Sequence, residues 1–300
     1  MNHRNFHSSM HTCGIDMERT EKQKKGILYV VATPIGNMED ITLRAVRVLG
    51  EVDLIAAEDT RRTGKLLAAH RIDKPMTSLH DQNERQKSHA VIASLRKGLN
   101  VAYVSDAGTP GLSDPGYVLI NQAIAENIQI VPIPGPSAVV AALSVSGLPM
   151  NRFMFLGFLP PKAARRRQLL LDLVHETGTV VFYESPNRLR ATLADVKDVM
   201  GDRQIVVLRE LTKIYEEVVR GTVSEVSAAF GERVIKGEVT LLVSGFREDD
   251  TIKTDEIILA KLEALFKGGG FSRRDVIDQV AGDLDLPRQR VYRLAIKLDF

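Results

Sequence analysis

The sequence holds one cysteine in 300 residues, Cys13, which excludes an internal disulfide and any cysteine-clustered zinc or iron–sulfur centre. Long apolar runs are also missing. Stretches such as 27–33 and 205–208 fall far short of the about 18 residues that a membrane span needs, so no membrane partner is expected. Neither sign of charge dominates: 40 basic against 38 acidic side chains leave +2, and any nucleic-acid surface has to be a local patch. No Gly-x-Gly-x-x-Gly follows the first apolar run, and Gly64-Lys65 is followed by Leu66 without an upstream glycine, so neither a dinucleotide fingerprint nor a phosphate loop is present. No His-Glu-x-x-His or clustered His/Asp pattern points to a catalytic metal.

What is there is globular in composition, with 44% apolar and 26% charged residues over a length that suits two domains. Residues 1–25 are polar, carry His3, His7 and His11, and lack an apolar segment long enough for a secretory signal; a disordered extension and a cytoplasmic location are expected. From residue 27, short β-branched runs at 27–33, 53–57, 101–105 and 128–133 alternate with helical stretches at 43–49, 63–69, 84–97 and 116–126. That alternation predicts an α/β lobe over 26–149 with a parallel sheet. A second lobe over 150–246 offers strands at 153–158, 179–183, 204–210, 217–221 and 238–245, with helices at 165–175, 188–200 and 224–230. Its last strands follow one another closely, which predicts antiparallel pairing in a mixed sheet. After a charged linker at 247–250, a helical tail over 251–300 is expected: 252–266, a glycine hinge at 268–270, then 272–281 and 287–298 in a helix-turn-helix-like arrangement.

Glycine and proline gather after strand ends, where open α/β sheets bind ligands. The loops are Thr33-Pro34-Ile35-Gly36-Asn37, the segment 105–116 that opens Ser105-Asp106-Ala107-Gly108-Thr109-Pro110, and Pro134-Gly135-Pro136-Ser137-Ala138. Three such loops on one sheet edge point to a cavity rather than three ordinary turns. Acids stand at the same edges: Glu58, Asp59 and Asp106 in the first half, Glu184 and Glu210 in the second.

These segments, with Ala57-Glu58-Asp59-Thr60-Arg61, resemble the tetrapyrrole-methylase-like family of S-adenosylmethionine enzymes. Gly157-Phe158-Leu159-Pro160-Pro161-Lys162, Tyr183-Glu184-Ser185-Pro186-Asn187-Arg188 and Arg209-Glu210-Leu211-Thr212-Lys213 are similar to the branch of that family that methylates ribosomal RNA. The resemblance runs from about residue 26 to the end. It implies a two-lobed tetrapyrrole-methylase-like fold, S-adenosylmethionine as cofactor, a homodimer, and 2′-O-ribose methylation of cytidine 1402 in 16S rRNA of the small ribosomal subunit. Where tetrapyrrole enzymes carry Gly-x-Gly-Pro-Gly-Asp, this chain has Thr33–Asn37, which argues against a porphyrin-like substrate. Two alternatives stay open: another substrate of the same family, or a non-catalytic RNA-binding assembly factor.

The resemblance implies that Pro34, Ile35, Gly36, Asn37, Asp106, Ala107, Gly108, Thr109, Pro110, Ser137, Ala138, Glu238 and Thr240 face the methyl donor, largely through main-chain groups. Candidates for removing the proton from a ribose hydroxyl are Asp106, Glu184, Glu210 and Lys213, the last either neutral through desolvation or cationic against a phosphate. Lys162, Arg165, Arg166 and Arg167 put four positive charges in six positions with no acid between them, a pattern suited to phosphate contact. Arg188 extends that surface, and Arg290, Arg293 and Lys297 flank the apolar face Val291, Leu294, Ala295 and Leu298 in the tail.

Overall fold

A computed structural model describes residues 24–246, 248–268, 272–284, 286 and 288–298. The histidines of the extension, Cys13, Gly269, Gly270 and Pro287 lie outside the described residues. In chain order the first half forms β1 (Ile27–Val31), α1 (Leu43–Glu51), β2 (Leu54–Ala57), α2 (Thr60–Ala69), β3 (Met76–Ser78), α3 (Glu84–Arg96), β4 (Val101–Val104), α4 (Tyr117–Ala125), β5 (Gln129–Ile133) and α5 (Ala138–Ser146). The second half adds β6 (Phe153–Phe158), α6 (Ala163–Asp172), β7 (Thr179–Glu184), α7 (Leu189–Met200), β8 (Gln204–Arg209), β9 (Glu217–Thr222), α8 (Val223–Phe230) and β10 (Val239–Val243). The tail is α9 (Glu248–Gly268), α10 (Arg273–Asp283) and α11 (Arg288–Ala295).

The first sheet has order β3-β2-β4-β1-β5 with every pairing parallel. Its inner strands are apolar on both faces, as helix-covered parallel sheets require. Along β4, Val101 and Tyr103 enter the core under α3 and α4, while Ala102 and Val104 enter the core under α1 and α2. The strand β3 is absent from the expected list. It is three residues held by pairing to β2, too short for any period to show. The edge strand β5 carries Pro132, which has no N–H to offer a further strand.

The second sheet has order β6-β7-β10-β8-β9 and is mixed as expected: β6 and β7 are parallel, and β10 runs antiparallel to both β7 and β8. One face packs under α6, α7 and α8 through Phe182, Val207 and Leu241. The other face is covered by α5, whose Val139, Ala142 and Leu143 join Val181, Val206, Leu208 and Leu242. A division at residue 149 would assign α5 to the first lobe. Its packing instead places it with the second lobe, although it follows directly on β5 of the first sheet.

In the tail, α9 begins at Glu248, inside the segment expected to be a linker. Ile258 and Leu262 pack on Val276, Ile277 and Val280 of α10 and on Val291, Leu294 and Ala295 of α11. Ser272 and Asp275 close a reciprocal capping box at the start of α10.

Candidate functional site

Parallel pairing brings the carboxyl ends of β1, β2, β4 and β5 to one edge. Because β10 is antiparallel to β7, its start lies beside the end of β7, with Val239 opposite Glu184. The two edges face each other across a cavity of about 440 Å3. From the first lobe it is lined by Ile35, Glu58, Arg62, 106–109, 112–114, Ser137 and Ala138; from the second by Phe158, 183–186 and 237–240.

The floor is built from main chain. Gly108 and Thr33 exchange two backbone hydrogen bonds, Thr33 N–H to Gly108 O at 2.9 Å and Gly108 N–H to Thr33 O at 3.0 Å. Gly108 sits at φ +82°, a left-handed conformation that glycine adopts without strain. Thr33 Oγ1 donates to Ser105 O at 3.2 Å and Thr109 Oγ1 to Pro136 O at 3.3 Å, so the three loops are stitched together. Ser137 caps α5 without a side-chain bond, leaving the N–H groups of the first turn for another acceptor.

Of the residues expected to face a donor, Ile35, Asp106, Ala107, Gly108, Thr109, Ser137, Ala138, Glu238 and Thr240 line this cavity, and Pro34, Gly36, Asn37 and Pro110 do not. Gly36 and Asn37 turn instead to the second lobe. Asn37 N–H donates to Thr212 Oγ1 at 3.0 Å, and a Cβ on Gly36 would stand 2.5 Å from Lys213 Cγ. Their role is to clasp the lobes.

The acids divide in the same way. Asp106 N–H donates to Glu58 Oε2 at 3.1 Å, Asp106 Oδ1 accepts from Asp59 N–H at 3.0 Å, and Arg62 reaches Asp106 Oδ2 at 3.2 Å. Burial, followed by the nearby Asp106 and Asp81 charges, pushes the Glu58 carboxyl up, against the backbone bond from Asp106 and the Arg62 charge. Glu184 lines the cavity but is fully buried and fully engaged. It accepts from Ser185 N–H at 2.7 Å and Thr192 Oγ1 at 2.6 Å and pairs with Arg188 at 2.5 Å. Such a carboxylate, tied to Ser185, Arg188 and Thr192, orders the 184–188 turn.

Glu210 and Lys213 stand outside the cavity wall. Lys213 Nζ binds Glu210 at 2.9 Å and Glu238 at 3.1 Å. Burial presses the ammonium down, but these two bonds outweigh it and the net shift is upward, so Lys213 is a cation and the neutral-base expectation falls. The bond from Lys213 is also the main cause that holds Glu210 below the ordinary carboxylate range.

The expected phosphate patch is likewise broken up. Arg166 is buried, with side-chain exposure of 5%, and pairs with Asp195 at 2.6 Å; it is a structural ion pair, out of reach of RNA. Arg167 is exposed but divides itself between Asp195 and Asp198. Lys162 and Arg165 remain as the exposed cations of the run. Arg188 is half-buried against Glu184. In the tail Arg290 pairs with Asp255 at 3.0 Å, whereas Arg293 and Lys297 are exposed.

Sequence reasoning passed over Asp114, Phe158 and Tyr183 as site residues. Burial first, then the charges of Glu58, Asp106 and Asp81, push the Asp114 carboxyl up to about 6. The folded carboxyl therefore keeps its proton to higher pH than the unfolded one, and stability falls as pH rises from about 4 to about 6. A shift of this size on a partly exposed group is worth about 1–2 kcal/mol after screening. Asp114→Asn is accordingly expected to be more stable than the parent by that amount at pH 8 and equal to it near pH 4, as read by urea unfolding. A constant difference across that range would mean that Asp114 is solvated as an ordinary carboxylate.

Comparison with known proteins follows the same outline. A sequence profile for the family described as Tetrapyrrole (Corrin/Porphyrin) Methylases matches residues 27–227. The chain is 46% identical over 276 residues to a Synechocystis protein named "Ribosomal RNA small subunit methyltransferase I", covering 91% of this chain and 99% of that one. A Bacillus subtilis protein of the same name is 41% identical over 276 residues, 90% and 94% of the two chains. Thermotoga maritima has one matched over 99% of its own length by 73% of this chain, at 47% identity. Among solved structures, a uroporphyrin-III-C-methyltransferase from Thermus thermophilus superposes with a TM-score of 0.51 at 21% identity, covering 73% of this chain and 94% of that one. A cobalt precorrin-4 methyltransferase gives 0.55 at 18% identity over the same shares, so the likeness there is one of fold.

Proposed function

From the premise that this chain belongs to the tetrapyrrole (corrin/porphyrin) methylase family of S-adenosylmethionine-dependent methyltransferases, we propose that it methylates the 2′-hydroxyl of cytidine 1402 in 16S rRNA of the small ribosomal subunit. The observation that supports this reading is near full-length identity of 41–46% to relatives named "Ribosomal RNA small subunit methyltransferase I".

The cavity suits the donor. Its floor offers main-chain groups of 106–109 and the uncapped start of α5 to a carboxylate, and its walls are acidic, the right sign for a sulfonium and an ammonium. When bound, S-adenosylmethionine supplies a methyl group activated by positive charge on sulfur. The chain's own contribution is to hold two reactants together, worth about 7–11 kcal/mol of the barrier when alignment is good. Asp106 receives the ribose proton in this reading: it lines the cavity, and among the described residues its Oδ2 is met by Arg62, whose side chain is 65% exposed. Glu184, Glu210 and Lys213 position the walls. Lys162, Arg165, Arg293 and Lys297 are the exposed cations placed for phosphate contact.

The test is a map of ribose methylation in rRNA from cells lacking the protein, with and without its return. Loss and restoration of the mark at cytidine 1402 is the expected result. An unchanged mark would favour a different substrate or a non-catalytic assembly role. The reaction is placed in the cytoplasm, where ribosomal subunits are built.

The working unit in this reading is a homodimer. Val140 and Val145 on α5 and Ile214 and Tyr215 after Lys213 are all exposed apolar side chains of the kind that a second copy would cover. Light scattering is expected to give twice the 33.2 kDa chain mass, and a monomer at every working concentration would remove the dimer.

A further inference from the structure

We infer that Phe158 and Asp114 form a base-reading wall in the cavity: the target nucleobase stacks on Phe158 and donates from its exocyclic amine to the Asp114 carboxylate. The inference rests on the RNA-methylating reading and names what that site selects.

Phe158 closes β6 and is 58% exposed although it lines a cavity between two lobes. Its direction is not that of a regular strand. The pairing of β6 with β7 slips between Phe155 and Phe158, and such an irregularity re-aims the side chain that follows it. Tyr183 supports the ring from one side, with centroids 5.5 Å apart and planes tilted by 60°, and Tyr183 is in turn met edge-on by Phe155 at 4.9 Å. A large aromatic, fixed by neighbours and open to the cavity, is what a base needs in order to stack.

Asp114 is delivered to the same wall by a close backbone approach. Gly157 is at φ +66°, and a Cβ there would lie 2.7 Å from Ser113 Oγ, so the 112–114 loop rests directly on the residue before Phe158. Ser113 itself takes φ +65° to make that turn. Asp114 is also close enough to Tyr183 for its charge to be felt by the phenol. The other titratable groups that act on Asp114 are Glu58, Asp106 and Asp81. A wall of this sign rejects a phosphate. It accepts a hydrogen-bond donor, which cytosine and adenine present at an exocyclic amine. Uracil offers only an N3–H between two carbonyl oxygens, and both would face the carboxylate.

The test compares small subunits carrying cytidine or uridine at position 1402, isolated from cells lacking the protein, as substrates for the parent chain, Asp114→Ala, Asp114→Asn and Phe158→Ala. The parent is expected to favour the cytidine subunit at least tenfold in kcat/KM. Asp114→Ala and Asp114→Asn, whose amide can pair with either base, should bring the ratio close to one. Phe158→Ala should lower kcat/KM about tenfold for both subunits. The calorimetric affinity for S-adenosylmethionine should stay within about threefold of the parent in all three variants. An unaltered cytidine-to-uridine ratio in Asp114→Ala, or a selective loss of donor affinity, would overturn the assignment and move Asp114 to the donor subsite.

Should the parent methylate neither subunit, the functional reading fails rather than the wall, and a measurement without catalysis decides the latter. Cytidine and uridine monophosphates titrated into the donor-loaded chain are expected to bind unequally, cytidine tighter, with the difference lost in Asp114→Ala. Equal binding, or none at millimolar concentration, would sink the inference.

Discussion

Arg166→Ala is expected to lower stability by about 3–5 kcal/mol, enough to move the melting temperature on the order of 10 °C, whereas Arg165→Ala should stay within about 0.5 kcal/mol. The two side chains are neighbours in a run of like charge, yet they stand in opposite environments. Arg166 Nε and Nη2 reach Asp195 Oδ2 at 2.7 and 2.6 Å with both partners about 95% buried, and Asp195 Oδ1 is held by Arg167 Nε at 2.5 Å. Removing Arg166 leaves a carboxylate buried between α6 and α7 with one partly exposed cation to answer it. The cost is the desolvation of that unpaired charge rather than the strength of one bond. A variant lacking Arg165, Arg166 and Arg167 would thus lose RNA binding by losing its lobe, and Arg165→Ala is the substitution that reports on phosphate contact. Differential scanning calorimetry of the two single variants is the check; equal melting temperatures would show that Asp195 finds another partner or reaches water.

Gly108→Val is expected to weaken S-adenosylmethionine binding by more than 100-fold while the chain stays folded. At φ +82° a β-branched residue is a steric outlier, and holding it there costs about 1–3 kcal/mol. The added Cβ would meet Ile35 Cγ2 at 3.4 Å, at the seam between the Thr33–Asn37 and 105–110 loops, where both residues line the cavity. The two-way pairing with Thr33 must then shift, carrying Ala107 and Thr109 with it, and a displacement of about 1 Å in a positioning loop can cost 10²-fold. Gly111→Ala makes the control: its φ is +86°, but none of the described residues lies within 4 Å of the new Cβ, so it bears the backbone strain without touching the floor. Calorimetry with donor, alongside far-UV circular dichroism, reads both. Binding by Gly108→Val within threefold of the parent would show that the floor is set elsewhere.

These two expectations also mark how far the amino-acid pattern reaches. The strands β1, β2, β4 and β5 were legible because parallel, helix-covered strands are apolar on both faces and stand out as short runs. The three Gly/Pro loops were legible for a local reason as well, since the residue types state the backbone they need. What escaped was pairing across long separations. Asp195 lies 29 residues beyond Arg166, and nothing local announces it, although Arg166, Leu170 and Leu173 share one helical stripe that all three bury. Asp114 sits within the 105–116 segment, but its burial and the charges of Glu58 and Asp81 around it are set by segments distant in sequence. The charge state of Lys213 stays open in the sequence, because its partners stand three residues back and 25 residues on, and the second is brought in only by the fold.

The proline in β5 has a bearing on assembly. Each of the four sheet edges is blunted in its own way: β3 is three residues long, β5 carries Pro132, β6 is broken by its slip in register, and β9 ends in Arg220-Gly221-Thr222. Edges of this kind give an incoming strand no continuous ladder to extend, which is how β-proteins keep from polymerising edge to edge. The homodimer proposed above would therefore be joined through side chains on helices and loops, a contact that can evolve residue by residue without altering the register of either sheet.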